Sequence, residues 1–323
     1  MAPPSPLTAL VVTHNRLPQL RTTLAALLAS APEVLGRVII VDNGSSEGTG
    51  PWLDAQKDPR LEVVRLAQNA GGAGGFAAGL AAFEAQPGGD WVVLMDDDGR
   101  PEPGALEAFQ AAPRQDAEGW VGAVRYPGGA ICDMNRPLFH PLGSLTRAWA
   151  ALRRGWAGYH LEDAAYAAGA PQPVDGGSFV GLFLHRRALS LAGLPRADLF
   201  LYGDDALFCV ELRRAGGRLL FDPALRFEHD CATTSDVTGR VAPLWKAYYL
   251  TRNRILVYRR AVGPVLLPLA MTPLLARVWR EKRLYAGPEG RAYGRLIRAA
   301  VADGLSGSTR RGHAEVTALA LPN

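Results

Sequence analysis

Four short apolar runs, each ending in a polar cluster, organise the first hundred positions of the chain. Residues 7–13 (LTALVVT), 37–42 (RVIIVD), 61–66 (LEVVRL) and 91–95 (WVVLM) are rich in β-branched side chains, the pattern of strands buried in a parallel sheet. Between the first two runs, Leu17, Leu20, Leu24, Leu27 and Leu28 recur at helical spacing and predict a helix over 17–28. After the third run a glycine-rich stretch over 69–75 opens a small-residue helix over 76–83. Strand and helix in alternation predict an α/β fold, with a mostly parallel open sheet flanked by helices. Such sheets bind ligands beyond the carboxyl ends of their strands. Thr13-His14-Asn15-Arg16, Asp42-Asn43, Asn69-Ala70-Gly71-Gly72 and Asp96-Asp97-Asp98 all fall there.

The middle third is less regular. It predicts a helix over 104–112, a strand over 121–126, a Pro/Gly-rich stretch to about 175, a hydrophobic segment over 179–185 and a strand over 218–221. Beyond 240 the pattern is helical, continuous from 245 to 260. Residues 261–276 are apolar and uncharged but contain Pro264, Pro268 and Pro273. A spanning helix wants about 20 apolar residues, so this shorter run is expected to be buried or interfacial. The length of 323 residues suits one large domain and an appendage, divided as 1–238 and 239–323.

Charge sharpens that division. The formal net charge is +4, yet from residue 240 onward fifteen Lys and Arg face four Asp and Glu. A basic, helical C-terminal extension on a mildly acidic body implies an anionic partner at that end: a membrane surface, a phosphorylated acceptor or nucleic acid. Cys132, Cys209 and Cys231 lie far apart in the chain with no C-x-x-C pair. That spacing argues against a disulfide scaffold and a structural zinc site, and suits a reducing compartment. With no basic, apolar leader pattern at the N-terminus, the expected location is cytoplasmic, peripheral at most on the inner face of the plasma membrane.

Three successive carboxylates after a buried strand repel one another unless a cation sits among them. A hard divalent ion, Mn²⁺ or Mg²⁺, fits carboxylate oxygen and leaves positions for phosphate. Alternation along the backbone places Asp96 and Asp98 on one side and Asp97 on the other. The alternative is a solvated acidic turn; an EF-hand fails because its third acidic position falls on Arg100. The glycines of Asn69–Phe76 allow close backbone approach, and the helix they open favours an anion such as a diphosphate. Asp42 suits either a nucleobase or ribose contact or a turn cap. Asp204 and Asp205 precede a helix-like run over 206–214, so each reads either as a cap or as a general base with raised proton affinity. His229 is either structural or a third metal ligand.

Taken together, VVTHNR (11–16), VDNGS (41–45), NAGGAGGF (69–76), MDDDGRPEP (95–103), GDDALF (203–208) and EHD (228–230) resemble the inverting family 2 glycosyltransferases of the GT-A fold, over roughly residues 7–255. The asparagine–glycine block, the triple Asp and YYLTRNR (248–254) are most similar to the galactofuranosyltransferase and rhamnosyltransferase branches. The resemblance implies a nucleoside-diphosphate sugar, with UDP or dTDP, held by Thr13, Asn15, Arg16, Asp42, Asn43, Asn69, Gly71, Gly72, Asp96 and Asp97. It implies a divalent metal on Asp96, Asp98 and His229, and Asp205 as catalytic base. Asp204, Tyr202, Ser178 and Phe179 would meet a glycan or lipid-linked acceptor. Leu207 departs from the family, which often carries an acidic residue there. A sugar nucleotidyltransferase is the first rival, but its glycine loop would follow the first strand, where Thr13–Arg16 stands. A nucleic-acid-binding scaffold is the second; clustered Asp opposes phosphate, so no nucleic-acid partner is expected.

Overall fold

Leu7–Thr13 forms the first strand, β1, and every residue in it is buried. Its alternation divides the core: Leu10 and Val12 face one hydrophobic cluster with Phe76, Leu80 and Phe83, while Ala9 and Val11 face another with Leu20, Leu24 and Phe109. Helices therefore cover both faces of the sheet, which explains the unbroken apolar runs.

The computed structural model describes residues 5–86, 88–114, 117–140, 153, 158–231 and 240–321. After β1 come α1 (Leu17–Leu28), β2 (Leu35–Asp42), α2 (Thr49–Asp54), β3 (Leu61–Arg65), α3 (Gly71–Ala85) and β4 (Trp91–Asp96). Then follow β5 (Gly99–Pro101), α4 (Ala105–Ala111), β6 (Gly119–Arg125), α5 (Asp163–Tyr166), β7 (Gln172–Val174) and β8 (Leu182–His185). The last part comprises α6 (Arg186–Ala192), α7 (Asp204–Arg214), β9 (Leu219–His229), α8 (Lys246–Lys282), α9 (Gly287–Ser306) and α10 (His313–Ala320). Much of the Pro/Gly-rich stretch before 175 and the domain boundary at 238/239 lie outside the described residues.

Among the described residues the sheet has nine strands in the order β3-β2-β1-β4-β8-β6-β9-β5, with β7 against β9. The first four are parallel, as the sequence predicts. The remainder is mixed: β8 runs antiparallel between β4 and β6, and β6 and β9 are parallel to each other. Two reversals through β8 restore the direction of β4, so β1, β2, β3, β4, β6 and β9 all end at the same edge. That edge carries the site.

Several boundaries differ from the sequence reading. The glycine block lies inside α3, not before it, because small residues let that helix settle on β1. A Cβ on Gly75 would stand 2.4 Å from Val12 Cγ1, and one on Gly79 2.2 Å from Leu10 Cδ1. β9 runs through residues 219–229 as one strand, so His229 is its last residue. Helix α8 passes beyond residue 260, bending at Gly263, whose φ of 75° is non-helical. The run 261–276 is not a buried core helix: Val265 is 87% and Leu269 66% exposed, although Leu267, Met271 and Leu274 pack inward.

Candidate active site

The acidic turn and the end of β9 meet through the short strand β5. Gly99 pairs with His229 in antiparallel register, and the Asp230 amide donates to the Asp98 carbonyl at 2.9 Å. Asp98 and His229, 131 residues apart, are thereby in contact, with His229 Nε2 3.1 Å from Asp98 Oδ1. Ligand atoms of Asp96, Asp98 and His229 all lie within 4.8 Å of one another. Asp97 turns the other way: its Oδ2 accepts from Thr13 Oγ1 at 2.8 Å, and its Oδ1 lies 3.3 Å from Arg16.

Burial of this cluster unsettles its charges. Desolvation, followed by repulsion from Asp98, pushes Asp96 up to about 7. Desolvation likewise pushes Asp97 up to about 6, against the pull of Arg16. Asp98 is also buried, yet the hydrogen bond from His229 and the Arg16 contact at 2.7 Å hold it below the ordinary carboxylate range. His229, despite burial, is pushed up to about 10 by its hydrogen bond to Asp98 and its neighbours. Three carboxylates around one arginine and one imidazole remain short of positive charge. Two carboxylates and an imidazole are a donor set that a divalent cation of the manganese or magnesium class accepts, so the residues fit such an ion.

The expected nucleotide residues surround this cluster, many engaged in holding loops. Asn15, at φ 54°, accepts from the Ser46 amide through Oδ1 at 2.8 Å, tying the β1 loop to the β2 loop. Asp42 Oδ1 accepts from the Ser45 amide at 3.0 Å, a turn cap. Asn43 is buried and joins two loops: its Nδ2 donates to the Gly71 carbonyl at 2.9 Å, and its Oδ1 accepts from the Ala70 amide. Asn69 Oδ1 accepts from Gly71 N at 2.8 Å.

The two glycines assigned to the nucleotide separate. Gly72 opens onto free space, as an approach site requires, whereas a Cβ on Gly71 would stand 1.9 Å from the Phe200 carbonyl oxygen. Gly71, with φ 72°, is therefore required by packing against the 200–203 loop rather than by close approach of a ligand.

That loop leads into the other carboxylate pair. Phe200 and Tyr202 adopt φ of 66° and 67°, and Gly203 also lies in the left-handed region, before α7 begins at Asp204. Strained backbone of this kind persists only where surroundings hold it. Asn253 on α8 does so, its Nδ2 lying 3.0, 2.8 and 2.7 Å from the carbonyls of Leu199, Leu201 and Tyr202. Buried Arg252 donates to Leu199 O at 2.8 Å. The basic segment 248–254 thus positions the loop, a role hidden from sequence reasoning. Asp205 Oδ1 accepts from the Ala206 amide at 2.6 Å, and burial pushes Asp205 up to about 6. Asp204 is also pushed up, by burial and by Asp205.

On the expected acceptor side, Ser178 Oγ accepts from Asn135 Nδ2 at 2.7 Å, and burial with the charge of Asp96 raises the Tyr202 phenol to about 12. Phe179 is 4% exposed and packs between Phe76 and Phe208, so its ring lies in the core. Three contributors were missed. Asn135 accepts from His229 Nδ1 at 2.7 Å, the bond that orients a ligating imidazole. Half-buried Lys246 has its pKa lowered by burial and by the nearby Arg16. The cysteines, remote in sequence, are not all remote in space: Cys132 and Cys231 gather around His229.

Known proteins resemble this chain in sequence and in fold. The glycosyl transferase family 2 model covers residues 8–164. Galactofuranosyltransferase GlfT1 of Mycobacterium tuberculosis is 30% identical over 284 residues, covering 84% of this chain and 85% of that protein. Among solved structures, S. aureus TarS 1-349 aligns with TM-score 0.55 at 15% identity, covering 97% of this chain and 83% of that one. Mannosyltransferase PcManGT from Pyrobaculum calidifontis, in complex with GDP-Man and Mn²⁺, aligns with TM-score 0.54 at 16% identity, covering 98% and 85%. At such identities the structural likeness establishes the GT-A fold.

Proposed function

The chain belongs to glycosyl transferase family 2 and is a glycosyltransferase, and from that premise we propose that it transfers galactofuranose from a UDP-linked donor, with inversion, to a hydroxyl of a glycan or lipid-linked acceptor. The name of its mycobacterial relative favours galactofuranose over rhamnose. The observation that carries the reading is the convergence of Asp96, Asp98 and His229 at the sheet edge where the donor loops also end.

Asp96, Asp98 and His229 would hold a divalent cation, which would supply positive charge for the departing diphosphate, worth several kcal/mol. The protein does the rest. Arg16 brings fixed positive charge to the same edge, and the loops stapled by Asn15, Asn43 and Asn69 shape the nucleoside side. Asp205 takes the proton of the acceptor hydroxyl as that oxygen bonds to the anomeric carbon and the bond to diphosphate breaks. Such a base contributes about 10²–10⁴-fold, and attack opposite the leaving group inverts the centre. Asp204, Tyr202 and Ser178 border the acceptor.

In this reading the catalytic unit spans 1–238 and the helical extension 239–323 rests on the membrane. Helix α8 is long and apolar enough to cross a bilayer, but its first half is fixed to the 199–202 loop through Asn253. Its exposed Val265, Leu269 and Trp279, with Arg277, Arg280, Lys282 and Arg283 nearby in sequence, suit an interfacial contact with anionic lipid at the cytoplasmic face.

Purified protein incubated with UDP-galactofuranose and a panel of glycan and lipid-linked acceptors tests the proposal. Product carrying the inverted anomeric configuration by NMR supports it. Donor hydrolysis without transfer, or a retained configuration, contradicts it.

A further inference from the structure

The second side-chain cluster at the same edge holds sulfur rather than carboxylate. β6 and β9 are parallel neighbours, Arg125 opposite Glu228, so the segments that follow them emerge side by side. After β6 the chain doubles back, Ile131 bridging to Arg125 and the Cys132 amide donating to Val124 O at 3.1 Å. After β9 the chain continues through Asp230 to Cys231. Ligand atoms of Cys132, His229 and Cys231 consequently lie within 4.8 Å of one another.

The imidazole of His229 divides the two clusters between its nitrogens. Nε2 faces Asp98 at 3.1 Å. Nδ1 lies 2.7 Å from Asn135 Oδ1, and Cys132 Sγ donates to that same oxygen at 2.9 Å. The thiol of Cys132 therefore stands on the Nδ1 side, away from the carboxylates. Cys132 is fully buried and Cys231 partly so, while the third thiol, Cys209, is buried in the core and donates to the Gly177 carbonyl.

We infer that Cys132, His229 and Cys231 form a binding site for a thiophilic divalent cation of the zinc class. Two thiolates and one imidazole are the ligand set that zinc takes with a fourth position open. Manganese and magnesium, which take carboxylate, carbonyl and water oxygen, have no comparable preference for thiolate. Binding releases the Cys132 and Cys231 thiol protons and the proton that His229 Nδ1 donates to Asn135. The existence of this site rests on its own geometry. A consequence rests on the proposed function: one neutral imidazole cannot serve an ion on each nitrogen, so zinc at the thiols opposes manganese at the carboxylates.

Cobalt titration of the full chain tests the site. One equivalent of Co²⁺ should develop a thiolate-to-cobalt charge-transfer band, with affinity at least about tenfold weaker in Cys132→Ser and Cys231→Ser and unchanged in Cys209→Ser. A band of wild-type affinity in both serine variants, or cobalt uptake without the band, overturns the proposal. X-ray absorption on wild-type protein with one equivalent of Zn²⁺ needs no variant to fold: a sulfur shell at about 2.3 Å supports the site, and a shell of only nitrogen and oxygen overturns it. Manganese EPR of the same samples separates the two readings. Mn²⁺ released as zinc fills the sulfur site supports the antagonism; Mn²⁺ retained beside sulfur-bound zinc refutes it. Sulfur-bound zinc in a protein that never binds Mn²⁺ sustains this site and contradicts the carboxylate reading instead.

Discussion

His229 Nε2 lies 3.1 Å from Asp98 Oδ1 because Gly99, next to Asp98, is the strand partner of His229. The register of one short antiparallel pairing thus decides whether the acidic turn has an imidazole beside it. Asp96 and Asp98, with His229, make the proposed ion-holding face, while Asp97 is directed to Thr13 and Arg16, and Arg16 reaches across to Asp98 as well.

Removing one member of the ion-holding face should be visible in the metal dependence. Asp98→Asn keeps the shape but loses the charge, and should raise the Mn²⁺ concentration for half-maximal transfer by at least about tenfold. The measurement is initial rate against Mn²⁺ at saturating donor. An unchanged midpoint would remove Asp98 from the ligand set.

Asp205→Asn should lower kcat by about 10²–10⁴-fold while leaving the affinity for the nucleotide donor nearly intact, as read by calorimetry with UDP and Mn²⁺. In the wild type, burial pushes Asp205 up to about 6, so its base form grows as pH rises through that value. Transfer should accordingly climb between about pH 5 and 7 and then level off. Activity that is flat across this range, or nearly normal turnover in the variant, would exclude Asp205 as base.

The sequence makes the donor half of this molecule legible because its signals are local. The runs at 7–13, 37–42 and 91–95 are strands buried in a parallel sheet, and their polar ends necessarily share an edge. Alternation alone separates Asp96 and Asp98 from Asp97. The second half depends on pairings between distant segments. Nothing local in 179–185 says that β8 enters antiparallel between β4 and β6, and this reversal aligns the ends of β6 and β9 with that of β4. For the same reason the chain spacing of Cys132 and Cys231 concealed their meeting at His229. Phe179, next to Ser178 in sequence, points the opposite way into the core. The service of Asn253 to the 199–202 loop involves main-chain carbonyls, which leave no mark in the sequence of that loop.

The two glycines opening α3 make opposite predictions. In Gly71→Ala the new methyl would strike the Phe200 carbonyl at 1.9 Å and strain a φ of 72°, so stability should fall by at least about 1–3 kcal/mol and transfer with it. Gly72→Ala adds a methyl to open space, so its melting temperature should hold and any loss should appear in donor KM. Differential scanning calorimetry with donor kinetics on both variants makes the comparison. Equal melting temperatures would contradict the packing role of Gly71.

The exposed apolar face of α8 should bind anionic vesicles. Co-sedimentation with phosphatidylglycerol-containing vesicles should fall on Leu269→Asp and Trp279→Asp, and should weaken with added salt as charge attraction is screened. Equal sedimentation of wild type and both variants would remove this face from the membrane contact.

The most direct measurement of the central claim is transfer from UDP-galactofuranose in EDTA, followed by titration with Mn²⁺ or Mg²⁺. The account predicts that chelation stops turnover and that either ion restores it, with Asp98→Asn requiring more of it than the wild type. Full turnover in the absence of divalent ions would contradict it.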